Sequence, residues 1–326
     1  MRNNYLHTFL IVFISLCLST TYAQQPSQYS LYMLNVYGNN PAAAGLGKTL
    51  VATGGFRTQW VGLEGNPTTQ YINVSLPLSI ISSGVGISLE NESLGARHGL
   101  TAKASYNWIA AIGEGQLSFG ASAGFMQGRL DGSKLRTPTG DYTQGVVDHR
   151  DKILNSVSLN GIVPMFEAGI YYKNDIFDIG LAVGNLSEPR LNLQEDKVTG
   201  LQLKRHYTAY ASTQFKVFAG FSAQPSILLK SDGVATQIDF STLLKYDDNF
   251  FLGATFRGYS KNTRDALVIL GGFKVNPKLT LAYAYDVTLS SLKTVNQGTH
   301  EMVLKYDIGR DFGKGKLPPI IYNPRF

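Results

Sequence analysis

The chain has 326 residues, with 34 glycines, 18 tyrosines, 17 phenylalanines and charged side chains at only 16% of positions. Its single cysteine, Cys17, excludes a disulfide framework and a thiolate metal site. The formal net charge is +6, but the basic residues are scattered singly rather than clustered, which argues against a nucleic-acid partner. Richness in glycine and aromatic residues favours β-structure with many turns.

Residues 1–23 have the pattern of a cleaved secretory signal peptide. Arg2 supplies a positive start, "FLIVFISLCL" (9–18) is a short apolar run, and "TYA" (21–23) ends in a small residue. The apolar run is shorter than the roughly 20 residues that a membrane-spanning helix needs. Leu16 precedes Cys17, where lipoprotein processing would require a small residue. The sequence therefore predicts export, with cleavage after Ala23 and no cysteine in the mature chain.

Strand-like alternation of apolar and polar residues recurs along the rest of the chain. In "GLTAKASYNWIA" (99–110), Leu100, Tyr106 and Trp108 lie on one face, while Lys103 and Asn107 lie on the other. Tight polar connections such as "GEG" (113–115) and "NPK" (276–278) join neighbouring segments. The alternation predicts about 14 strands, near 48–58, 67–77, 83–91, 97–110, 115–128, 165–174, 176–185, 204–216, 223–231, 235–246, 249–259, 265–275, 278–288 and 299–309.

Two all-β architectures compete to explain this pattern. A soluble β-sandwich would place charged and polar residues on its outer faces. Here one strand face is consistently apolar, and the other carries Gly, Ser, Thr and Gln with isolated charges. A barrel in lipid needs this distribution, because closure satisfies every backbone hydrogen-bonding group. We therefore predict an outer-membrane antiparallel up-and-down β-barrel of about 14 transmembrane strands.

The predicted domain organisation follows from the strand limits. A periplasmic or plug-like segment spans 24–47, the barrel spans 48–309, and a C-terminal tail spans 310–326. Short turns are expected on the periplasmic rim, and longer outer loops at 129–163, 186–203, 259–265 and 288–299. Aromatic residues near strand ends are expected to form girdles at the lipid interfaces: Tyr71, Trp108, Tyr171, Tyr172, Tyr246, Phe250, Phe251, Tyr283 and Tyr306.

The sequence has few residues in the arrangements that catalysis requires. Four histidines follow the signal peptide, and none has the Ser two residues later that a barrel phospholipase would need; His206 has Thr208 there. Asp148, His149 and Asp151 could suggest an acid-histidine protease, but they lie in a polar loop where solvated charges are commoner. The sequence contains no zinc, phosphate-loop or nucleotide motif. We predict a non-enzymatic protein without a cofactor or metal.

Glycines and isolated cations in the strands have structural explanations. "GVG" (84–86) and the Gly pairs at 54–55 and 271–272 more often mark bends or close approach than ligand cradles. The alternation places six basic side chains toward a lumen: Arg57, Lys103, Lys230, Lys245, Arg257 and Lys305. Their presence alone leaves open whether the lumen is open or plugged.

Several sequence blocks in a fixed order resemble one family. Two lie early in the chain, "QYSLYMLNVYGNNPAAAG" (28–45) and "FRTQWVGLEGNPTTQYINVSLPL" (56–78). Five follow in order: "PSILLK" (225–230), "FLGATFRG" (251–258), "LAYAYDVT" (281–288), "THEMVLKYDIG" (299–309) and the final "RF" (325–326). Together they resemble the PorP/SprF family, outer-membrane barrels of the type IX secretion system of Bacteroidetes. Ala43 and Ala44 depart from it, since an aromatic residue more often follows this Asn-Pro-Ala.

The resemblance implies a partner-binding role. Such proteins work with the secretion and gliding apparatus, and many export or hold a large adhesin at the cell surface. The implied partners are type IX secretion system components, a secreted surface adhesin and outer-membrane lipid. A diffusion pore or small-molecule transporter is the alternative function. The long loops at 129–163, 186–203 and 288–299 are the candidate contact surfaces, because loops on a rigid scaffold commonly carry recognition.

The block at 56–78 supplies the candidate site residues. We expect it to form a strand, a rim connection and a returning strand, with Trp60 as a rim anchor and Arg57 as a lumen or loop-fixing charge. It either locks the first hairpin, which is the simpler interpretation, or contacts a partner directly. The family-motif residues are Arg57, Gln59, Trp60, Gly62, Gly65, Pro67 and Thr69.

Overall fold

The structure is a computed structural model that describes residues 27–47, 49–142, 147–151, 158–193, 200–260 and 263–311. The predicted signal peptide and the terminal Phe326 lie outside these residues. Among the described residues, no helix has the length and apolar character needed to cross a membrane.

Antiparallel strands make up most of the described chain. The strands are β1 (Thr49–Thr58), β2 (Thr68–Leu78), β3 (Ser83–Leu94), β4 (Arg97–Ile112), β5 (Gly115–Asp131), β6 (Ser158–Lys173), β7 (Phe177–Gly184), β8 (Arg190–Asn192), β9 (Gly200–Gln202), β10 (His206–Thr213), β11 (Phe215–Phe218), β12 (Phe221–Ser231), β13 (Thr236–Tyr246), β14 (Phe250–Arg257), β15 (Ala266–Asn276), β16 (Leu279–Thr288) and β17 (Thr299–Asp311). Short 3-10 turns occur at Tyr32–Leu34, Tyr37–Asn39, Pro41–Ala43, Ser79–Ile81, Gly132–Lys134 and Ser291–Thr294.

The strands close into a barrel. Each wall strand pairs with its neighbours in sequence, and β1 pairs with β17 to complete the ring. β10 and β11 are two parts of one wall strand interrupted at Gln214, while β8 and β9 form a separate hairpin. The described residues therefore form a closed 14-stranded antiparallel barrel, which confirms the predicted fold class and strand count.

The two faces of the wall differ as the sequence pattern predicts. On β4, Tyr106 and Trp108 are each 52% exposed on the outer face, whereas Asn107 between them is fully buried on the lumen face. Leu252 and Ile269 are likewise exposed on the outside of the opposite wall. An apolar outer face suits contact with lipid. Because the described wall strands form a closed ring, each of them pairs on both sides and exposes no strand edge to the lipid.

Three aromatic residues assigned to the lipid girdles lie inside the barrel. Tyr71 and Tyr171 are 3% and 2% exposed, and Phe251 packs partly buried against the same internal cluster. Tyr71 meets the ring of Tyr29, and Tyr171 stacks on Tyr210. The prediction was wrong here because these rings have an apolar partner inside the barrel, which removes the reason for an aromatic side chain to face lipid.

The outer connections also differ from the prediction. β5 continues to Asp131 and β6 begins at Ser158, so strand residues replace both ends of the predicted 129–163 loop. The β5–β6 ladder continues there through polar pairs such as Arg129 with Asn160, because the backbone, not the side chains, makes its hydrogen bonds. The predicted 186–203 loop contains the β8–β9 hairpin.

The two ends of the barrel can be distinguished by their connections. At the turn end, neighbouring strands join through short turns such as 113–114 and 247–249. At the loop end lie the long connections 132–157, 185–205 and 289–298, together with a two-residue link at 95–96. In outer-membrane barrels the short turns lie on the periplasmic side and the longer loops on the extracellular side.

The main hydrophobic core lies inside the barrel and is built on the residues that precede β1. Residues 27–46, the N-terminal segment, contribute Leu31 and Tyr32, which are almost completely buried. They pack against lumen-facing residues from several walls, including Leu243 and Val303. A second cluster joins Leu191 and Leu203, around the β8–β9 hairpin, to lumen-facing side chains of β5 and β6.

Candidate functional site

A cluster of buried charges lies on the lumen face beside the N-terminal segment. Its members, the charge cluster, come from five strands: Arg57 of β1, Asp239 of β13, Arg257 of β14, Asp286 of β16 and Glu301 of β17. All five side chains are 3% exposed or less. Two arginines and three carboxylates thus share one nearly water-free position.

Arg57 joins two of the carboxylates. Its Nη2 lies 2.8 Å from Asp286 Oδ2, and its Nη1 lies 2.9 Å from Glu301 Oε2. Glu301 is also the direct ladder partner of Arg57 across the β1–β17 pairing that closes the barrel. Arg57 therefore connects the closing strand pair to the next strand, β16.

Arg257 occupies the opposite side of the cluster. Its Nη2 lies 3.1 Å from Asp239 Oδ2, its ladder partner on β13. Its Nη1 reaches past β15 to Asp286 Oδ2, 2.8 Å away. β15 places the small side chains of Ala266 and Val268 on the lumen face at this level, which leaves room for that reach.

Ser30 of the N-terminal segment inserts between the two arginines. Its hydroxyl donates to Asp286 Oδ1 at 2.8 Å and accepts hydrogen bonds from Arg57 Nη1 and Arg257 Nη2, both at 3.0 Å. The backbone amide of Ser30 donates to Glu301 Oε2 at 2.6 Å, and that of Leu31 donates to Oε1 at 3.2 Å. The charge cluster therefore binds both a side chain and the backbone of the segment.

Burying charges costs free energy unless each one is paired and hydrogen-bonded. Here the arginines satisfy the carboxylates in planar, charge-assisted contacts, and Ser30 and Leu31 supply further donors. Withdrawal of the segment would leave Glu301 without two of its three donors. The cluster is thus arranged to retain the segment.

Other lumen-facing polar residues hold the segment along its length. The Tyr32 hydroxyl bonds to Ser226 and Ser241 of β12 and β13, at 3.0 and 2.9 Å. On the far wall, Asn107 Nδ2 donates to the carbonyls of Ala42 and Ala44 at 2.8 and 2.7 Å. These contacts span opposite sides of the barrel, so the segment crosses the lumen.

The wall lacks side chains where the segment approaches most closely. A Cβ added at Gly120 of β5 would overlap the backbone of Ala42, and one added at Gly84 of β3 would overlap the carbonyl oxygen of Ala44. Glycine is the residue that permits such an approach. The lumen surface is therefore shaped to fit this part of the segment.

Space remains on both sides of the segment. A cavity of about 570 Å³ opens at the turn end, where Asn35, Val36 and Leu46 form part of its lining. A cavity of about 260 Å³ lies toward the loop end, with Ser27, Tyr29 and Pro41 in its lining. The N-terminal segment contributes to both linings and lies between the two cavities.

The predicted family-motif residues divide between the lumen and the loop-end rim. Arg57 belongs to the charge cluster, and Thr69, its ladder partner on β2, is buried on the same face. The other five, Gln59, Trp60, Gly62, Gly65 and Pro67, lie in the connection between β1 and β2.

Backbone contacts fix that connection. The Gln59 amide donates to the Pro67 carbonyl at 2.8 Å, and the Trp60 amide donates to Thr299 Oγ1 at 3.1 Å. Gly62 and Gly65 have φ angles of 95° and 70°, which glycine adopts without strain. Val61 exchanges backbone hydrogen bonds with Gln297 and Gly298, so the motif is also held to the 289–298 connection.

The residues considered for catalysis have structural contacts. His149 is buried, with Nδ1 3.0 Å from the Tyr142 hydroxyl and Nε2 3.0 Å from the Gly132 carbonyl. Asp148 pairs through its backbone with Asp141. These contacts hold the 132–151 part of the connection together.

A comparison with protein families identifies the chain. Residues 21–306 match the model described as "Type IX secretion system membrane protein PorP/SprF". The chain belongs to the PorP/SprF family. It is therefore a type IX secretion system membrane protein, and this is a secretion family rather than an enzyme family. A search of curated proteins finds no match.

Solved structures with a similar barrel are outer-membrane proteins. The toluene transporter TbuX of Ralstonia pickettii has 10% identity and a TM-score of 0.49, over 83% of this chain and 92% of that one. The monoaromatic hydrocarbon channel TodX, as a deltaS2S3 mutant, has 11% identity and a TM-score of 0.47, over 89% and 96%. Omp33 of Acinetobacter baumannii has 9% identity and a TM-score of 0.46, over 81% and 99%. With identities this low, these similarities describe the fold and give no information on function.

The sequence blocks that resemble PorP/SprF proteins meet at the charge cluster. "FRTQWVG" supplies Arg57, "FLGATFRG" supplies Arg257, "LAYAYDVT" supplies Asp286 and "THEMVLKYDIG" supplies Glu301. The N-terminal block supplies Ser30. Sequence reasoning singled out the two arginines and missed the three carboxylates. For Asp286 and Glu301 the available signal was a charged residue at a lumen-facing strand position within a family block, whereas Asp239 lies outside those blocks.

Proposed function

We propose that this PorP/SprF protein assists the secretion or surface attachment of a partner protein, such as a large adhesin, without catalysing a reaction. The observation that carries the proposal is the N-terminal segment, which crosses the lumen and is fixed there by the charge cluster. We interpret the segment as a resident plug. A plugged barrel has its two ends available for recognition, whereas its lumen offers no continuous route.

The loop end is the proposed surface for the exported partner. The 289–298 connection exposes Val295 and part of Leu289. Backbone hydrogen bonds at Val61 attach it to the connection between β1 and β2. Apolar side chains on a rim that projects from the membrane into water suit contact with another protein. The PorP/SprF motif would then serve the partner indirectly, by holding this rim in place.

Gene deletion tests the proposal. Loss of the protein should leave at least one type IX substrate absent from the cell surface or released into the medium, as measured by surface proteomics. Expression of the wild-type gene should restore display. If every type IX substrate still reaches the surface and stays there, the proposal is wrong.

A rim variant tests the proposed contact surface. The double substitution Leu289→Ser and Val295→Ser should reduce partner display while the barrel remains folded. Ile80→Ser is the matched control, because Ile80 is an equally apolar side chain, 80% exposed, in a turn at the opposite end. Equal loss of display in both variants would contradict a loop-end contact.

The alternative function is a diffusion pore or small-molecule transporter. Single-channel recording of the purified protein in a lipid bilayer separates the two functions. A plugged barrel should show no steady open level, whereas a pore should conduct without any partner. Steady conductance by the wild-type protein would favour the pore.

Export through a cleaved signal peptide is part of the proposal. Mass spectrometry of the protein purified from outer membranes should find an amino terminus at Gln24, as the sequence pattern predicts. A terminus at Met1 would contradict cleavage.

A further inference from the structure

The free end of the N-terminal segment lies toward the loop end of the barrel. Ser27, the first described residue, lines the cavity of about 260 Å³ there, and so does Tyr29. The segment then runs to the turn end, where Val36 and Leu46 line the larger cavity and β1 begins at Thr49. The segment is therefore attached to the wall at the turn end, while its free end points the opposite way.

Side chains from two walls fix the direction of this free end. The Ser27 hydroxyl donates to Glu90 Oε1 of β3 at 2.7 Å, and the Tyr29 hydroxyl donates to Oε2 of the same carboxylate. From β12, Lys230 Nζ donates to the Ser27 carbonyl at 3.0 Å and lies 5.5 Å from the centre of the Tyr29 ring. Hydrogen bonds to ionised groups are stronger than those between neutral groups, so these contacts hold Ser27 in place.

Chain length limits where the amino terminus can lie. Cleavage after Ala23 leaves only residues 24–26 before Ser27, and three extended residues reach at most about 10 Å. Glu90, which binds Ser27, is seven positions from Ser83 at the turn end of β3, and that stretch of strand is about 23 Å long. The mature amino terminus is therefore confined to the half of the barrel near the loop end.

The charges of the loop-end cavity do not by themselves select an occupant. Its lining contains three carboxylates and four lysine or arginine side chains, and Lys103 pairs with Glu167 at 2.8 Å. Covalent attachment to Ser27 selects residues 24–26 instead, because the chain itself places them within reach of the cavity. Two of these residues are Gln24 and Gln25, whose amides both donate and accept hydrogen bonds and so suit a lining of mixed charge.

One carboxylate of the lining is available to the α-amino group. Glu92 lies on β3, two positions beyond Glu90 toward the loop end and on the same face. It has no ion pair with any residue in the described part of the chain. An α-amino group is largely protonated at neutral pH, and a carboxylate within reach forms a charge-assisted hydrogen bond with it.

We propose that the loop-end cavity is the binding site of the mature amino terminus, with residues 24–26 inside it and the α-amino group against Glu92. The free end of the segment then faces the outside of the cell, where the longer loops of outer-membrane barrels lie. A partner at the loop end meets this free end, whereas a periplasmic component meets only the attached end. The inference rests on the signal-peptide cleavage that belongs to the proposed function.

Cross-linking locates the amino terminus. Gln25→Cys, in a chain whose Cys17 is replaced by Ala, is combined with a second cysteine in the lining of one cavity: Arg97→Cys at the loop end or Lys245→Cys at the turn end. The proteins are purified from outer membranes into lipid nanodiscs and treated with a short bis-maleimide, and mass spectrometry measures the products. The 25–97 cross-link should form and the 25–245 cross-link should not. Both should form in urea, which verifies that every cysteine reacts.

Glu90→Ala tests the contact that directs the free end, and Glu64→Ala is the matched control. Glu64 is an exposed glutamate in the β1–β2 connection, also at the loop end. Loss of the acceptor for Ser27 and Tyr29 should lower the initial rate of the 25–97 cross-link about fivefold. Glu64→Ala should leave the rate unchanged. Circular dichroism would verify that both variants are folded.

An epitope on intact cells tests the side of the membrane. A hydrophilic eight-residue epitope inserted between Gln24 and Gln25 should bind antibody without permeabilisation, as the same epitope in the 289–298 connection should. Inserted in the short turn at 247–249, it should bind antibody only after the outer membrane is permeabilised.

Three results would overturn the proposal: equal cross-linking to both cavities in the folded protein, no cross-link to either, or an amino-terminal epitope that antibody reaches only in permeabilised cells. Intact mass of the same preparation shows whether the chain begins at Gln24, and another start would remove the basis of the inference. Failure of the cross-link alongside loss of substrate display on gene deletion would reject this site and leave the proposed function standing. The 25–97 cross-link without any display defect would do the reverse.

Discussion

Arg57 and Glu301 face each other across the first and last strands of the barrel, with Nη1 and Oε2 2.9 Å apart. The same glutamate accepts the backbone amides of Ser30 and Leu31. One ion pair therefore connects closure of the barrel with retention of the N-terminal segment. The two processes should fail together when the pair is broken.

Arg57→Met tests that coupling. The substitution removes a buried cation and leaves Glu301 and Asp286 with fewer donors, which should lower the free energy of unfolding by about 3–5 kcal/mol. Urea unfolding of the protein in detergent micelles, followed by tryptophan fluorescence, measures the change. Arg57→Lys should recover part of it, because a single ammonium replaces the charge but not the planar geometry.

The matched control is Arg205→Met. Arg205 forms a pair with Glu188 at 3.7 Å, and both side chains are substantially exposed. Loss of an exposed pair should cost less than about 1 kcal/mol. Equal destabilisation by the two substitutions would contradict a special role for the Arg57–Glu301 pair.

The barrel could be predicted from the sequence because strand alternation is local. Trp108 and Asn107 are neighbours, and their opposite polarity assigns the two faces without knowledge of the rest of the chain. The charge cluster could not be predicted in the same way. Ser30 and Glu301 are 271 positions apart, and closure of the whole ring brings them together.

The aromatic residues show a second limit of sequence reasoning. Trp108 and Tyr71 are both aromatic residues in alternating strands, yet Trp108 is exposed on the outer face and Tyr71 packs against Tyr29 in the lumen. The side that a ring occupies depends on what fills the lumen. That information lies in the N-terminal segment, whose position is set by contacts with many strands rather than by its own periodicity.

Ser30→Asp should loosen the N-terminal segment. A carboxylate at this position could still accept from Arg57 and Arg257, but it would lack the proton that Ser30 donates to Asp286. It would also set four buried carboxylates against two arginines, which is costly in a buried site. We expect the variant to show transient openings in single-channel recordings where the wild type shows none. Ser133→Asp, in an exposed turn of the 132–157 connection, should leave the recordings unchanged. Identical traces for Ser30→Asp and wild type would argue against the cluster as the attachment point.

Gly120→Ala tests the fit between the wall and the segment. The added Cβ would overlap the backbone of Ala42, so the segment should shift or detach. A reporter cysteine, Met33→Cys in a chain whose Cys17 is replaced by Ala, is buried when the segment is in place. Its labelling by a water-soluble maleimide should become faster. Gly54→Ala is the control, because the nearest atom to its Cβ would be 3.8 Å away. Equal labelling rates in both variants would mean that the N-terminal segment shifts slightly but stays attached to the wall.

Shortening the connection between β5 and β6 tests its role in partner display. The strands extend to Asp131 and from Ser158, so the deletion must be confined to 132–157, with a short Gly-Asn turn in its place. His149 packs within this connection through Tyr142 and Gly132, and among the described contacts it makes no hydrogen bond to the barrel wall. We therefore expect a barrel with unchanged thermal stability and reduced display of the partner, measured by circular dichroism and surface proteomics. An unfolded barrel would show instead that the connection is structural.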